Sequence, residues 1–479
     1  MNRTLQTLIC LLFCLPIKGQ AQTPAVADSL QFDFDSFMQQ VAAHHPLALQ
    51  ADLLLETGEA AVLKARGGFD PKAGTEVYQK YFDDKQYYSL INGGLKVPTW
   101  FGLEFKGGLE QNTGAFLNPE NTLPSAGLWY AGITVPIGRG LFIDERRAML
   151  RQAQVFQDMT EQERLLTVND LLFDAARAYW YWSGSYQNRQ ILLDAVEAAR
   201  VRFEAVKQAA LFGDRAAIDT LEAGIQLQNL QVSLQAAEID YFKAGMYLST
   251  FLWLEGTLPM EISNTTIPSV ITGPLPDWLQ PELLPNTASI VSAHPAIQYY
   301  GLKLDELDIE RRWKAEQLKP RIDLSYNPIT ENVGGNPITG FSPENYTWGL
   351  SFSMPLLLRK ERGDLTLTKI KMENTYLQRE QKTLDLSTKI NAYYNEWNIS
   401  NDQIVIFEQA VADYFTLWQA EIRLFDNGES SLFLINSRQQ SYISALQKLN
   451  EFRIKNKIAV SGLNWSTAKF ATWYNQLTP

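Results

Sequence analysis

Few residues in this chain are suited to chemistry, and their positions argue against catalysis. Its three histidines are His44, His45 and His294, and two of them, His45 and His294, stand directly before a proline. Histidine serves as metal ligand or general base near neutral pH. None of the three has the His-x-x-x-His spacing that would set two ligands on one helix face. A residue before proline is pushed out of the helical region, so His45 and His294 read as turn residues at helix breaks. The two cysteines are Cys10 and Cys14, both within the apolar start of the chain. No Gly-rich phosphate loop and no Gly-x-Ser-x-Gly elbow occurs. The sequence therefore offers no catalytic, cofactor-binding or metal site, and an enzyme is the wrong class.

What the histidines do mark is a repeat. His45-Pro46 recurs as His294-Pro295, and Pro71 recurs as Pro320, both pairs 249 positions apart. Further along, Ala178-Tyr179-Trp180 matches Ala392-Tyr393-Tyr394, and Leu211-Phe212-Gly213 matches Leu424-Phe425 with nearby Gly428, now at separations of 213 to 215. The first copy thus carries about 35 extra residues between Pro71 and Ala178. Self-similarity over this length makes one architecture from two copies.

The first residues have the character of a secretory signal, with Arg3, an apolar run over 8–17 and small residues before Gln22. Residues 1–21 are expected to be removed, which takes both cysteines with them and leaves no thiol or disulfide. Cys14 follows the bulky Phe13, which argues against lipid anchoring. The whole chain has net charge −11; without Arg3 and Lys18 it holds 40 basic against 53 acidic residues. That balance argues against nucleic acid as a partner, because phosphate binding needs clustered Lys and Arg. Beyond the signal there is no apolar run of the ~18 residues a membrane helix needs. The exported chain is either soluble in the periplasm or crosses an outer membrane as a β-barrel.

The same helix–strands–long hairpin order appears in both copies, an α+β arrangement. Helices are expected over 34–43 and 47–66, then strands over 75–82, 87–97, 102–110 and 128–137, where period-two alternation is bounded by Gly, Asn and Pro. This alternation suits a barrel wall, but an ordinary half-buried sheet gives the same pattern and is the commoner source of it. Residues 144–211 are proline-free; as one helix they make a rod about 100 Å long. Gly213 breaks it and 216–254 returns. Residues 255–287, rich in proline, link the copies. The second copy, 288–479, repeats the order with a helix over 296–319, strands over 321–326 and 346–355, a rod over 361–425, a return to 466 and a C-terminal tail. The first repeat is 22–254, with strands in 72–138 and its hairpin in 144–254.

Two-helix rods of this length cannot bury a core alone, so their apolar stripes must pack on other helices. Val168, Leu172, Ala175, Ala176 and Tyr179 form one such seam, and the Ala195, Ala198, Ala199, Ala205 and Ala209 series permits close approach. Tyr179-Trp180-Tyr181-Trp182 covers a whole helical turn and is read as core plus inter-subunit packing. Arg139, Arg146, Arg147 and Arg151, echoed by Arg359, Lys360 and Arg362, fall where strands pass into rods and are expected to face lipid head groups.

Taken together, the paired His-Pro openings, the Thr134-Val135-Pro136-Ile137 and Ser353-Met354-Pro355-Leu356 strand endings and the two Gly-containing turns, in duplicated order, make the chain resemble the TolC-like outer membrane efflux proteins. The resemblance covers essentially all of the chain after the signal. It implies a homotrimer in which each subunit gives four strands to a shared 12-stranded transmembrane β-barrel, continued by a long periplasmic α-barrel. Here the first copy offers up to four strands by itself, more than that pattern needs. The resemblance further implies an exit duct in the outer membrane lipid, coupled through a periplasmic adaptor (membrane fusion) protein to an inner-membrane pump of RND or ABC type. It places Gly213, Asp214, Asn427 and Gly428 at hairpin tips that meet the adaptor. It also implies a constriction near the tips, at Asp219 with Glu222 one turn on, whereas the second copy departs from the acidic pattern with Leu434 and Ser437. The rival class is a soluble periplasmic coiled-coil scaffold or adaptor-like protein. An adaptor would carry one hairpin flanked by compact β-domains, and a scaffold would not require detergent for extraction.

Overall fold

The computed structural model describes residues 31–263, 265–281, 286–331 and 340–477. The proposed signal lies outside them. Strand β1 (Gln31–Phe32) precedes helices α1 (Phe34–His44) and α2 (Pro46–Arg66). Asp33 caps α1 by accepting from the Ser36 amide at 2.9 Å, as an N-cap acid should. Four strands follow: β2 (Lys72–Phe82), β3 (Lys85–Pro98), β4 (Glu104–Thr113) and β5 (Leu128–Pro136). The first rod is α3 (Glu145–Leu211), capped by the Asp144 carboxylate on the Arg147 amide at 2.8 Å, and it returns as α4 (Ala217–Ser249).

The segment read as a linker is instead a strap. Just before it, β6 (Trp253–Leu254) pairs with β7 (Leu258–Pro259) inside it, and β8 (Ile267–Pro268) pairs in parallel with β1. Leu279 is fully buried, and Trp278 donates to Asp35 at 2.7 Å. Proline content signalled the absence of long elements, but it carried no information about docking.

The second copy opens with α5 (Thr287–Ala293), which the sequence reading missed, and α6 (Pro295–Glu316). Strands β9 (Arg321–Thr330) and β10 (Tyr346–Ser353) lead into the second rod α7 (Arg359–Asp426) and its return α8 (Leu432–Ser466). The tail is not irregular. It forms α9 (Lys469–Leu477), whose Phe470, Trp473 and Tyr474 are buried.

The main core lies where the strap, α1, α9 and the middle of the rods meet. Phe34 stacks on Trp180 at 4.5 Å between ring centroids, and Trp278 stacks on Trp473 at 4.3 Å. Tyr179 donates to the Phe32 carbonyl at 2.8 Å, and its burial pushes the hydroxyl pKa up to about 12. Of the four consecutive aromatics, Tyr179, Trp180 and Trp182 are core, whereas Tyr181 is 51% exposed. Close helix approach rests on glycine at Gly184 and Gly462, among others: a Cβ at Gly184 would overlap Ile454, and one at Gly462 would overlap the Tyr393 ring. Gly462→Val is expected to destabilise the protein by about 1–3 kcal/mol through overpacking. Gly301→Ala, where nothing lies within 4 Å, should stabilise by up to ~1 kcal/mol. Thermal unfolding in detergent checks both, and equal effects from the two would refute the packing argument.

Candidate functional site

The six long strands form one antiparallel sheet in the order β10-β9-β5-β4-β3-β2. Four strands per subunit was the number the resemblance implied; all four from the first copy join the two from the second. Pairing is continuous across β2, β3 and β4, from Lys72 opposite Lys96 to Lys96 opposite Lys106.

Register assigns every side chain of this sheet to one of two faces, because strand side chains alternate. One face carries Trp348, Leu350 and Phe352 of β10, Leu324 and Tyr326 of β9, Ile133 and Val135 of β5, Phe105 and Leu109 of β4, Ile91, Leu95 and Val97 of β3, and Val77 of β2. Trp348, Leu350 and Phe352 are 65, 58 and 67% exposed. The opposite face carries Glu76, Asn92 and Glu110 in one row and Lys72, Lys96 and Lys106 in another. Like charges directly opposite one another are unfavourable without water, so this face is hydrated. An apolar face and a hydrated face on one antiparallel sheet are what a membrane barrel wall requires.

Aromatic side chains mark both ends of that wall. Tyr81, Phe82 and Phe116 stand exposed at the far end, with Tyr87 stacked on Phe116 at 4.7 Å between centroids. Trp100, Phe101 and Phe142 stand exposed where strands meet rods. From Tyr88 to Val97 the chain climbs about 30 Å along the strand, or about 24 Å when tilted, close to the ~25 Å apolar band of such barrels.

The strand-to-rod junction corrects one expectation. Arg147 does not face lipid: it is buried, its Nε lies 3.0 Å from Asp144, and its guanidinium donates to the Gly140 and Leu141 carbonyls. It also seats the β3–β4 turn, since a Cβ at Gly102 would lie 3.0 Å from Arg147 Nη2. Arg146 reaches Glu104 at 3.5 Å. A basic residue near a membrane rim and a basic residue that organises a helix start look alike in sequence.

At the other end the two hairpin turns have the same construction. Gly213 and Gly428 adopt φ +85° and +81°. The Asp214 amide donates to Ala209 O at 2.9 Å and the Glu429 amide to Leu424 O at 2.9 Å, the left-handed glycine cap that ends a helix sharply. Asp214 and Asn427 flank these glycines. Arg215 then ties one turn to the other: its guanidinium lies 3.8 Å from the Phe425 ring centroid and donates to the Phe425 carbonyl at 3.0 Å. Asp219 is half-buried in the first turn of α4. Glu222 is also half-buried and accepts from Asn436 at 3.5 Å, while Asn436 accepts from Arg202 at 2.8 Å. Burial pushes the Arg202 pKa down to about 10. Leu434 is 38% exposed, next to the more open Phe433 and the buried Leu432. Between α3 and α7, just behind the turns, runs a groove of about 760 Å3 lined by Val201, Arg202, Ala205, Trp418, Ile422 and Phe425. The Arg202–Asn436–Glu222 and Arg215–Phe425 contacts were missed from sequence. Their partners lie more than 200 positions apart at no motif spacing.

His45 and His294 are helix caps. His45 Nδ1 accepts from the Leu47 amide and His294 Nδ1 from the Ala296 amide, each at 3.1 Å, so each caps the helix its proline begins. Among the described residues no group of three His, Cys, Asp or Glu could hold a metal, and no helix is long and apolar enough to cross a membrane.

A duplicated unit of strands and long hairpins, with a two-faced sheet at one end and paired turns at the other, defines an outer membrane channel fold. The outer membrane efflux protein family model matches residues 289–467. No curated protein matches the sequence. Solved structures share the fold over nearly the whole chain. The MtrE outer membrane channel of Neisseria gonorrhoeae, in its open state, superposes with TM-score 0.66 at 12% identity, covering 90% of this chain and 88% of its own. The CmeC outer membrane channel of Campylobacter jejuni gives 0.64 at 11%, covering 91% and 85%. VceC of Vibrio cholerae, an outer membrane protein, gives 0.63 at 11%, covering 91% and 95%. The chain therefore has the fold of these outer membrane channels, and its second repeat is similar to the outer membrane efflux protein domain.

Burial, reinforced by Lys382, pushes the His294 pKa down from 6.5 to about 4. The unfolded chain therefore takes up this proton first as pH falls. Stability is full above about 6.5 and declines by up to about 3 kcal/mol between pH 6.5 and 4. His294→Asn keeps a capping acceptor without the titration, so its unfolding midpoint should vary less over that window. An unchanged pH profile would show that another group carries it.

Proposed function

We propose that the protein is the outer membrane channel of a tripartite export system, a passive exit duct working with a periplasmic adaptor and an inner-membrane pump. The observation that carries this reading is the two-faced sheet built directly onto rods of 67 and 68 residues, about 100 Å each. A soluble scaffold has no use for Trp348, Leu350 and Phe352 standing open on one face. Three copies are the assembly, with the sheet in the outer membrane and the rods packed side by side as a helical tube in the periplasm.

The turn residues Gly213, Asp214, Asn427 and Gly428 face the adaptor. Behind them, the groove between α3 and α7 has an apolar floor that suits the side of an adaptor helix. The pump is of RND or ABC type and supplies the energy, because the sequence carries no nucleotide-binding motif. Constriction falls near the turns. Asp219 provides the charged ring and Glu222 backs it through Asn436, with Leu434 and Phe433 as the apolar counterpart from the second hairpin. A ring of three carboxylates favours cations.

Single-channel recording in planar bilayers tests this reading. Detergent-purified protein should give discrete, cation-favouring steps, and Asp219→Ala with Glu222→Ala should enlarge the steps and weaken the cation preference. Failure of both proteins to insert would return the scaffold reading; unchanged steps in the double variant would move the constriction away from Asp219.

A further inference from the structure

The sheet has two open edges. Every residue of β2 is exposed, and so is nearly every residue of β10. Unpaired backbone N–H and C=O groups are not tolerated in hydrocarbon, so a spanning sheet must close on itself or on a partner. Six strands from one chain are too few to close around a lumen. We propose that β10 of one copy pairs antiparallel with β2 of the next, so that three copies close an 18-stranded barrel with the β2–β3 hairpin in its wall. This rests on the three-copy duct described above.

Direction and register support that closure. β2 runs away from the helices and β10 runs back toward them, so a head-to-tail junction is antiparallel like every other junction in the sheet. Moving straight across the ladders from Lys72 passes Lys96, Lys106 and Gly132 and arrives at Thr347. Yet Lys72 lies six residues after the end of α2, and Ser353 six residues before the start of α7. Setting those helix ends level puts Ser353 opposite the next copy's Lys72, a slip of six residues from Thr347. The slip is even, so apolar faces meet apolar faces: Thr75 falls opposite Leu350 and Val77 opposite Trp348. One residue of slip per strand, with a rise of about 3.3 Å and a spacing of about 4.8 Å, is a tilt of about 35°, inside the range of real barrels.

Circumference supports it as well. Helices α2, α3, α6 and α7 continue the sheet, and they neighbour one another in that order. Four helices at 8–10 Å take up roughly 32–40 Å of a ring. Six strands tilted by about 35° take up about 35 Å and four only about 23 Å, so six strands meet the helical ring without a step. The β2–β3 hairpin also has the two-faced pattern of the other strands, and the β3–β4 turn that joins it to the rest of the sheet is seated on Arg147. Barrels of 16–18 strands enclose an open aqueous lumen, so the exit suits hydrated cargo wider than a small solute.

Cysteine pairs test the wall, since the chain has no cysteine after Cys14. Each of Ala73→Cys, Thr75→Cys and Val77→Cys is combined with each of Trp348→Cys, Leu350→Cys and Phe352→Cys, and outer membranes are oxidised. Covalent dimers and trimers that vanish on reduction are expected, strongest for Thr75→Cys with Leu350→Cys, while single-cysteine variants stay monomeric on denaturing gels. Phe105→Cys with Phe352→Cys should remain unlinked; a link there would mean that β4 meets β10 in a 12-stranded wall, and would overturn the inference. Native mass spectrometry of the purified protein reports the trimer independently. A trimer that gives no link anywhere in the scan overturns the wall alone, whereas absence of a trimer overturns the three-copy duct on which it rests.

Discussion

With the sheet placed in the outer membrane, as proposed, backbone hydrogen bonding in a medium without water is the constraint on which the rest of this structure depends. A peptide group in hydrocarbon has no solvent to turn to, so the strands must pair continuously. From β2 to β10 they do, with the register of one ladder handed to the next. Everything below the sheet follows from holding those strands side by side. Each rod hangs from a strand end, and the spacing of strands sets the spacing at which the rods begin. Arg147 fixes that hand-over in the first copy by binding the carbonyls just before α3 and supporting the β3–β4 turn.

The helical part solves a different problem, that of surface without depth. A rod of 67 residues exposes its whole circumference, and one returning helix covers only part of it. Much of the apolar surface on α4 and α7, Ile218, Leu221, Val405 and Ile406 among it, remains open in the single chain. Depth is found at the waist, where the strap, α1 and α9 wrap the middle of the rods and bury Tyr179, Trp180, Trp182 and Trp473. The strap therefore does more than join two repeats. It locks them at one level, through β8 on β1 and Leu279 beneath Asn464.

The copies have diverged where their surroundings differ. Both keep a His-Pro helix start, a glycine-capped turn and a rod of nearly equal length. Only the first keeps four strands. Near the turns the first copy offers carboxylates and the second offers Leu434 and Phe433, with Arg215 and Asn436 crossing between them. The two copies thus meet through residues that are not each other's counterparts, a contact that strict symmetry would not permit.

Local periodicity and punctuation determined most of the elements from sequence alone. Prolines and glycines set the helix ends within a few residues, alternation located all six long strands, and the absence of proline over 144–211 and 361–425 defined the rods. These signals are written in neighbouring residues because backbone conformation is a local property. Tertiary structure alone decided the rest. That the β2–β3 hairpin joins the sheet, that 255–287 packs as a strap, that the tail is a helix and that Arg147 turns inward all depend on partners up to hundreds of positions away. Such contacts are chosen by burial and hydrogen-bond satisfaction over the whole chain, and no spacing within the sequence records them.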